Sequence, residues 1–167
     1  ALVLGLVIAG SGTTANLMSV ATHDLLAHRD QWDLLVGEPS RLGDAVEELL
    51  RFTTLGYGAP RFAVDDVVLA GQSIGRGDLL LCPFPAANHD AAVWVDPHRL
   101  DLHRPATAHL AFSVGPHYCL GANLARLEIT SALGEVARRF PGLVPAGEPV
   151  WEHTFLFRNL VSLPVRL

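Results

Sequence analysis

At 167 residues and 50% hydrophobic, the chain is long and apolar enough to bury one sizeable core. A net charge of −5 argues against a nucleic-acid partner. Its two cysteines, Cys82 and Cys119, exclude a disulfide framework and suit a reducing compartment.

The opening ten residues, Ala1 to Gly10, are apolar but shorter than the roughly 18 needed to span a bilayer. No basic residue precedes them as in a signal peptide, so no membrane partner is expected. They read as the start of a buried helix running over residues 1–28. The chain begins without Met and inside that helix, which points to a fragment of a longer product. Within the helix, Ala9-Gly10-Ser11-Gly12-Thr13-Thr14 carries two glycines, each costing about 1 kcal/mol relative to Ala, so a kink or a close approach is expected there. Residue types alone favour the plainer explanation, a helix packed tightly on a neighbour through small residues.

A short helical or looped stretch follows around Gln31 to Val36. Gly37-Glu38-Pro39-Ser40 breaks it, and Ser40 is the expected N-cap of a helix over 40–52. There Leu42, Ala45, Val46 and Leu49 form an apolar stripe, while Glu48 and Arg51 fall away from it. Periodicity alone predicts a solvated i,i+3 ion pair worth about 0.5 kcal/mol. Over 60–84, Val64, Val67 to Leu69 and Leu79 to Leu81 alternate with Gly-rich turns and predict a small hairpin sheet. Residues 85–116 are rich in Pro, His and Asp without period, an irregular segment of a length that is more often functional than idle.

That segment leads into Phe112-Ser113-Val114-Gly115-Pro116-His117-Tyr118-Cys119-Leu120-Gly121, a loop completing residues 85–121. It runs into a helix over 120–140, marked by Leu120, Leu124 and Leu127 with Ala122, Ala125 and Ile129. Cys119 thus sits at a helix N-terminus, where unpaired N–H groups and the dipole favour a thiolate, the form a nucleophile or a metal centre needs. A lone cysteine is nonetheless more often an inert buried residue. His89, His98, His103, His109 and His117 lack paired metal-ligand spacing, so structural zinc is not expected. A cysteine nucleophile with His117 as base would need an oxyanion site and an orienting group that the sequence does not announce. Phe155-Leu156-Phe157 and Leu160 to Val165 predict closing strands over 151–167. The fold class read from these elements is mainly α with small β-sheets.

The pattern Phe112-x-x-Gly115-x-His117-x-Cys119-x-Gly121, continued by Leu124-Ala125-Arg126-Leu127-Glu128, closely resembles the haem-thiolate loop and following helix of the bacterial cytochromes P450. The resemblance implies haem b as cofactor with Cys119 as its axial iron ligand, a thiolate that pushes electron density onto the metal. It further implies that His117 bonds a haem propionate, that Phe112 packs beside the loop, and that Gly115 and Gly121 let backbone approach sulfur and porphyrin. Ser113 stands where the family usually has glycine, so strain is expected in the bulge. Ala9-Gly10-x-Gly12-Thr13 resembles the family's distal-helix pattern. There Ala9 and Gly10 would line the oxygen groove, and Thr13 would be the catalytic alcohol that orders water for protonation. Gly12 replaces the usual acid. Glu48-x-x-Arg51 resembles the family's helix signature, with Arg99 as the third, buried member of the triad. Arg61 would pair a propionate, and the small residues 55–60 would line the substrate side with room for a bulky substrate.

By the same resemblance the chain is the C-terminal part of a cytoplasmic P450 from the distal helix onward, in a family whose members are more than twice this long. The activity implied is insertion of one atom of O₂ into a small organic substrate. Electrons would come from a ferredoxin- or flavodoxin-type donor docking on a basic face that includes Arg126, Arg138 and Arg139. Peroxide-dependent or rearrangement chemistry, motivated by Gly12, and a non-catalytic remnant are the rival readings. So apolar a piece is expected to expose large hydrophobic surfaces.

Overall fold

The computed structural model describes residues 2–105, 108–153 and 157–167. The expected first helix is two, α1 (Leu2–Ser11) and α2 (Thr13–Ala27), with the bend at Gly12. On α2, Leu17, Val20, Ala21, Asp24 and Leu25 recur at i, i+3, i+4 spacing and form a buried stripe. Helix α3 (Arg29–Gly37) buries Gln31, Trp32 and Leu35, and the Trp32 indole N–H donates to the Pro141 carbonyl at 2.9 Å. Helix α4 (Leu42–Thr53) follows, then β1 (Ala59–Phe62), β2 (Val67–Leu69), β3 (Gln72–Ile74) and β4 (Leu79–Cys82). After α5 (Phe84–Asn88) and the irregular segment comes α6 (Ala122–Arg139). The chain closes with β5 (Val144–Pro145), β6 (Val150–His153), β7 (Arg158–Ser162) and β8 (Val165–Arg166).

The core lies where α2, α3, α4 and α6 meet, with Leu100, Leu102 and Leu143 closing it. Among the described residues the strands form four antiparallel pairs, β1 with β4, β2 with β3, β5 with β8 and β6 with β7. Ala70 (φ 48°) and Gly71 (φ 80°) form the two-residue turn of the β2–β3 hairpin, with the positive φ angles that match the twist of its strands. The fold class is therefore mainly α with small β-sheets. Of the expected closing strands, Phe155 and Leu156 lie outside the described residues.

Two expectations are corrected. Ser40 is no N-cap: Pro39 opens a 3₁₀ turn, closed by Arg41 N–H donating to the Glu38 carbonyl at 3.0 Å, and α4 begins only at Leu42 with no side-chain cap. The opening helix is not buried. The core elements pack on α2 beyond the bend, leaving Val3 75% and Ile8 67% exposed. Joined across the bend, Val3–Ala27 is long and apolar enough to cross a membrane by length and composition, which the first ten residues alone are not. Leu120, in the turn before α6, and Leu124 and Leu127 on it also face outward, while Ala122, Ile129, Leu133 and Ala137 face the core. At Gly134 the helix comes so close to α4 that a Cβ would lie 2.7 Å from the end of the Leu42 side chain.

Candidate functional site

The Cys119 loop is held by its own backbone. Cys119 N–H donates to the Phe112 carbonyl at 2.9 Å, and Tyr118 N–H to the Gly115 carbonyl at 3.0 Å, folding a 3₁₀ turn over Gly115–His117. Ala122 N–H then donates to the Cys119 carbonyl at 3.2 Å, so the cysteine leads directly into α6. Gly115 (φ 72°) and Ser113 (φ 63°) make the reversals the loop needs. Ser113 holds a left-handed conformation that costs a side-chain-bearing residue about 1–2 kcal/mol, which is the physical content of the strain expected there. The thiol is exposed, as is His117.

Behind the loop stands a charged framework. Arg126 donates to both carboxylate oxygens of Glu47, Nε at 2.6 Å and Nη2 at 3.0 Å, and from Nη1 to the Tyr118 hydroxyl at 3.1 Å. Its guanidinium carbon lies 4.8 Å from the centroid of the Phe112 ring. His109 Nε2 meets the same carboxylate at 3.2 Å. Burial works against the ionised form of Glu47, but the hydrogen bonds from His109 and Arg126 outweigh it and hold the carboxyl at about 2. Arg126, one of the three arginines expected on the basic face, is part-exposed and paired with Glu47. Arg138 and Arg139 are exposed and share one partner, Glu135.

Glu48 and Arg51 are not the surface pair that periodicity predicts; they are 4% and 1% exposed. Arg51 grips Glu48 through Nε at 2.7 Å and Nη2 at 2.9 Å, and donates to the carbonyls of Asn88, Pro97 and Arg99. The third charged member is Arg104, not Arg99. Arg104 Nε reaches Glu48 at 3.1 Å and its terminal nitrogens take the Val95, Asp96 and Arg99 carbonyls, whereas Arg99 offers only that carbonyl and keeps its side chain exposed. Leu100 and Leu102 are buried in the core, and a turn closed by Arg104 N–H on the Asp101 carbonyl at 2.9 Å brings the Arg104 side chain back to Glu48, while Arg99 stays exposed. Two guanidiniums thus satisfy the last carbonyl of α5 and four carbonyls of a segment with no ladder of its own, the accounting that buried backbone demands.

At the start of α2 the Thr13 hydroxyl donates to the Ala9 carbonyl at 2.8 Å across the Gly12 bend. Ala9 and Gly10 are exposed, and a side chain at Gly12 would enter open space. Asn16, unnoticed in the sequence, clips α2 to β7. It donates to the Arg158 carbonyl at 2.8 Å and to Asn159 Oδ1 at 2.7 Å, and accepts from Leu160 N–H at 3.0 Å. Arg61 stands opposite Leu80 in the β1–β4 pair, exposed, donating to the Pro60 carbonyl. Just before it Gly58 (φ 147°) presses on β4 so closely that a Cβ would lie 2.3 Å from the Cys82 carbonyl oxygen.

Among the described residues no group of three or more His, Cys, Asp or Glu is placed to hold a metal ion. The donor chemistry at the loop is one exposed thiol, with exposed Arg61 and His117 as candidate partners for anionic groups. That set fits a prosthetic group bringing its own remaining metal ligands and carrying carboxylates.

Comparison with known proteins agrees. The family model for cytochrome P450 matches residues 42–165. The chain is 42% identical over 163 residues to pentalenic acid synthase of Streptomyces avermitilis, covering 96% of this chain and 40% of that protein. It is 39% identical to 6-deoxyerythronolide B hydroxylase of Saccharopolyspora erythraea, covering 98% and 41%. The crystal structure of LnmA, a cytochrome P450 hydroxylase from the leinamycin pathway of Streptomyces atroolivaceus, superimposes with a TM-score of 0.90 at 42% identity, covering 98% of this chain and 43% of that one. The chain thus spans about two fifths of the length of these relatives.

Proposed function

The chain belongs to the cytochrome P450 family, and from that premise we propose that it is the haem-holding part of a haem-thiolate monooxygenase that inserts one atom of O₂ into an organic substrate. The observation that carries the reading is the Cys119 loop, closed on Phe112 and delivered to the start of α6 with its thiol exposed. In this reading Cys119 would ligate the haem iron, and His117 and Arg61 would hold the propionates. Phe112 packs beside the loop, Gly121 allows close backbone approach, and Ala9 and Gly10 line the oxygen side. Haem b, when bound, supplies the redox chemistry of oxygen activation.

The chain's own residues bind and move protons. Cys119 stands just before the N-terminus of α6, where Ala122 N–H bonds its carbonyl and the helix dipole favours an anion. The Thr13 hydroxyl, anchored on the Ala9 carbonyl, keeps lone pairs free to accept from water and so orders a proton donor on the distal side. Gly12 offers no acid, so protons arrive through water or a substrate hydroxyl. The small residues 55–60 favour a bulky organic substrate. A ferredoxin- or flavodoxin-type donor in a bacterial cytoplasm completes the reading, with exposed Arg138 and Arg139 as its basic contacts.

Turnover of the haem-loaded protein with isotopically labelled O₂ and a one-electron donor tests this: one labelled oxygen atom is expected in the product. Gly12 favours a second reading, peroxide-dependent chemistry. Product formed with peroxide but never with O₂ and reductant would establish that instead.

A further inference from the structure

The two residues that flank Cys119 in the loop's hydrogen bonding, Phe112 and Tyr118, converge on one side chain. Phe112 receives the Cys119 N–H on its carbonyl and lies with its ring under the Arg126 guanidinium at 4.8 Å. Tyr118 precedes Cys119 and accepts from Arg126 Nη1 through its hydroxyl. The guanidinium cannot turn away, because its other two nitrogens hold Glu47 in the fork geometry that only arginine provides. Glu47 is itself fixed from a third direction. Ala111 N–H donates to His109 Nδ1 at 3.2 Å, so the neutral ring carries its proton on Nε2 and donates to the Glu47 carboxylate. The His109 side chain is only 4% exposed. The framework therefore runs from α4 through Arg126 on α6 to both arms of the loop.

We propose that Arg126 is a positioning residue for the Cys119 thiolate, clamping both arms of its loop to α4 through Glu47, and not a free cation for donor docking. The inference rests on the reading of Cys119 as the haem ligand. Its consequence is that geometry matters at position 126 and charge alone does not. A lysine there keeps the positive charge but cannot hold Glu47 bidentately, reach Tyr118 and cover Phe112 together.

The test uses the haem-loaded protein with Arg126→Lys, Glu47→Gln, Tyr118→Phe and a Cys119→Ser control. The readout is how long the reduced carbon-monoxide complex keeps its red-shifted, thiolate-ligated band, beside the rates of reduction by dithionite and by an acidic protein donor. Arg126→Lys and Glu47→Gln are expected to lose the thiolate form about tenfold faster than the unaltered protein, since each removes charge-assisted hydrogen bonds. Tyr118→Phe, which deletes one hydroxyl on an exposed ring and leaves the fold untouched, is expected to speed the loss about threefold. A thiolate band as durable in Arg126→Lys and Tyr118→Phe as in the unaltered protein would overturn the clamp. So would a defect confined to donor-driven reduction and absent with dithionite. A red-shifted band surviving Cys119→Ser would instead overturn the ligand reading beneath it.

Discussion

Replacing Glu48 by glutamine keeps the shape of the side chain and removes one charge. Glu48 accepts two hydrogen bonds from Arg51, one from Arg104 Nε and one from Asp101 N–H, in a site where it is 4% exposed. The variant leaves two guanidiniums without their anion and turns an amide N–H₂ toward donors. Breaking a buried pair in this way costs about 3 kcal/mol or more, a large share of the roughly 5–15 kcal/mol by which domains are stable. With a urea dependence of about 2 kcal/mol per molar, the unfolding midpoint should fall by about 1.5 M. The irregular segment should loosen first, because the carbonyls of Val95, Asp96, Pro97 and Arg99 lose well-held donors. Equilibrium urea unfolding, with hydrogen exchange over residues 88–104, measures both. A midpoint shift below about 0.3 M, the scale of a solvated i,i+3 pair, would refute the argument and restore the surface reading.

Three further outcomes follow from named contacts. Arg104→Met should cost about 2 kcal/mol in the same assay, whereas Arg99→Met, which leaves the useful carbonyl in place, should stay within about 0.5 kcal/mol; equal effects would contradict the assignment of the third triad member. Ser113→Gly relieves a left-handed strain of about 1–2 kcal/mol and gives back about 0.4–1 kcal/mol through the freer unfolded chain, so the midpoint should rise by the equivalent of about 0.5 kcal/mol; a fall would show that the serine side chain contributes more than its backbone costs. Glu47, held at about 2 against an ordinary value of 4.5, contributes stability that is fully present above pH 4.5 and is lost as pH falls toward 2. Glu47→Gln should flatten that limb of the stability–pH curve, and an unchanged acid limb would count against the contacts that depress its carboxyl.

Local signals were the legible ones. The Cys119 loop, the helix after it and the β2–β3 turn are set by residues adjacent in sequence, where glycine placement and helical spacing have direct conformational meaning. What periodicity misjudged was long-range. Glu48 and Arg51 fall off the apolar stripe of α4, and only the irregular segment arriving some 40–50 residues later buries them. The Glu47 partner of Arg126 lies 79 residues away and the β7 partners of Asn16 about 143, distances over which a single sequence carries no pairing signal. Arg104 reaches Glu48 only through the turn that its own N–H closes on the Asp101 carbonyl, which periodicity around Leu100 and Leu102 does not announce. The exposure of α1 and of Leu120, Leu124 and Leu127 had no local signature: an apolar stripe states that a face wants cover, not which element of this chain provides it.

The claim on which the account depends is that Cys119 ligates haem iron. The reduced, carbon-monoxide-bound absorption spectrum of the haem-loaded protein, recorded beside Cys119→Ser, tests it most directly. The account predicts a strongly red-shifted Soret band that the substitution abolishes. An unshifted band, or one that survives the loss of the thiol, would contradict it.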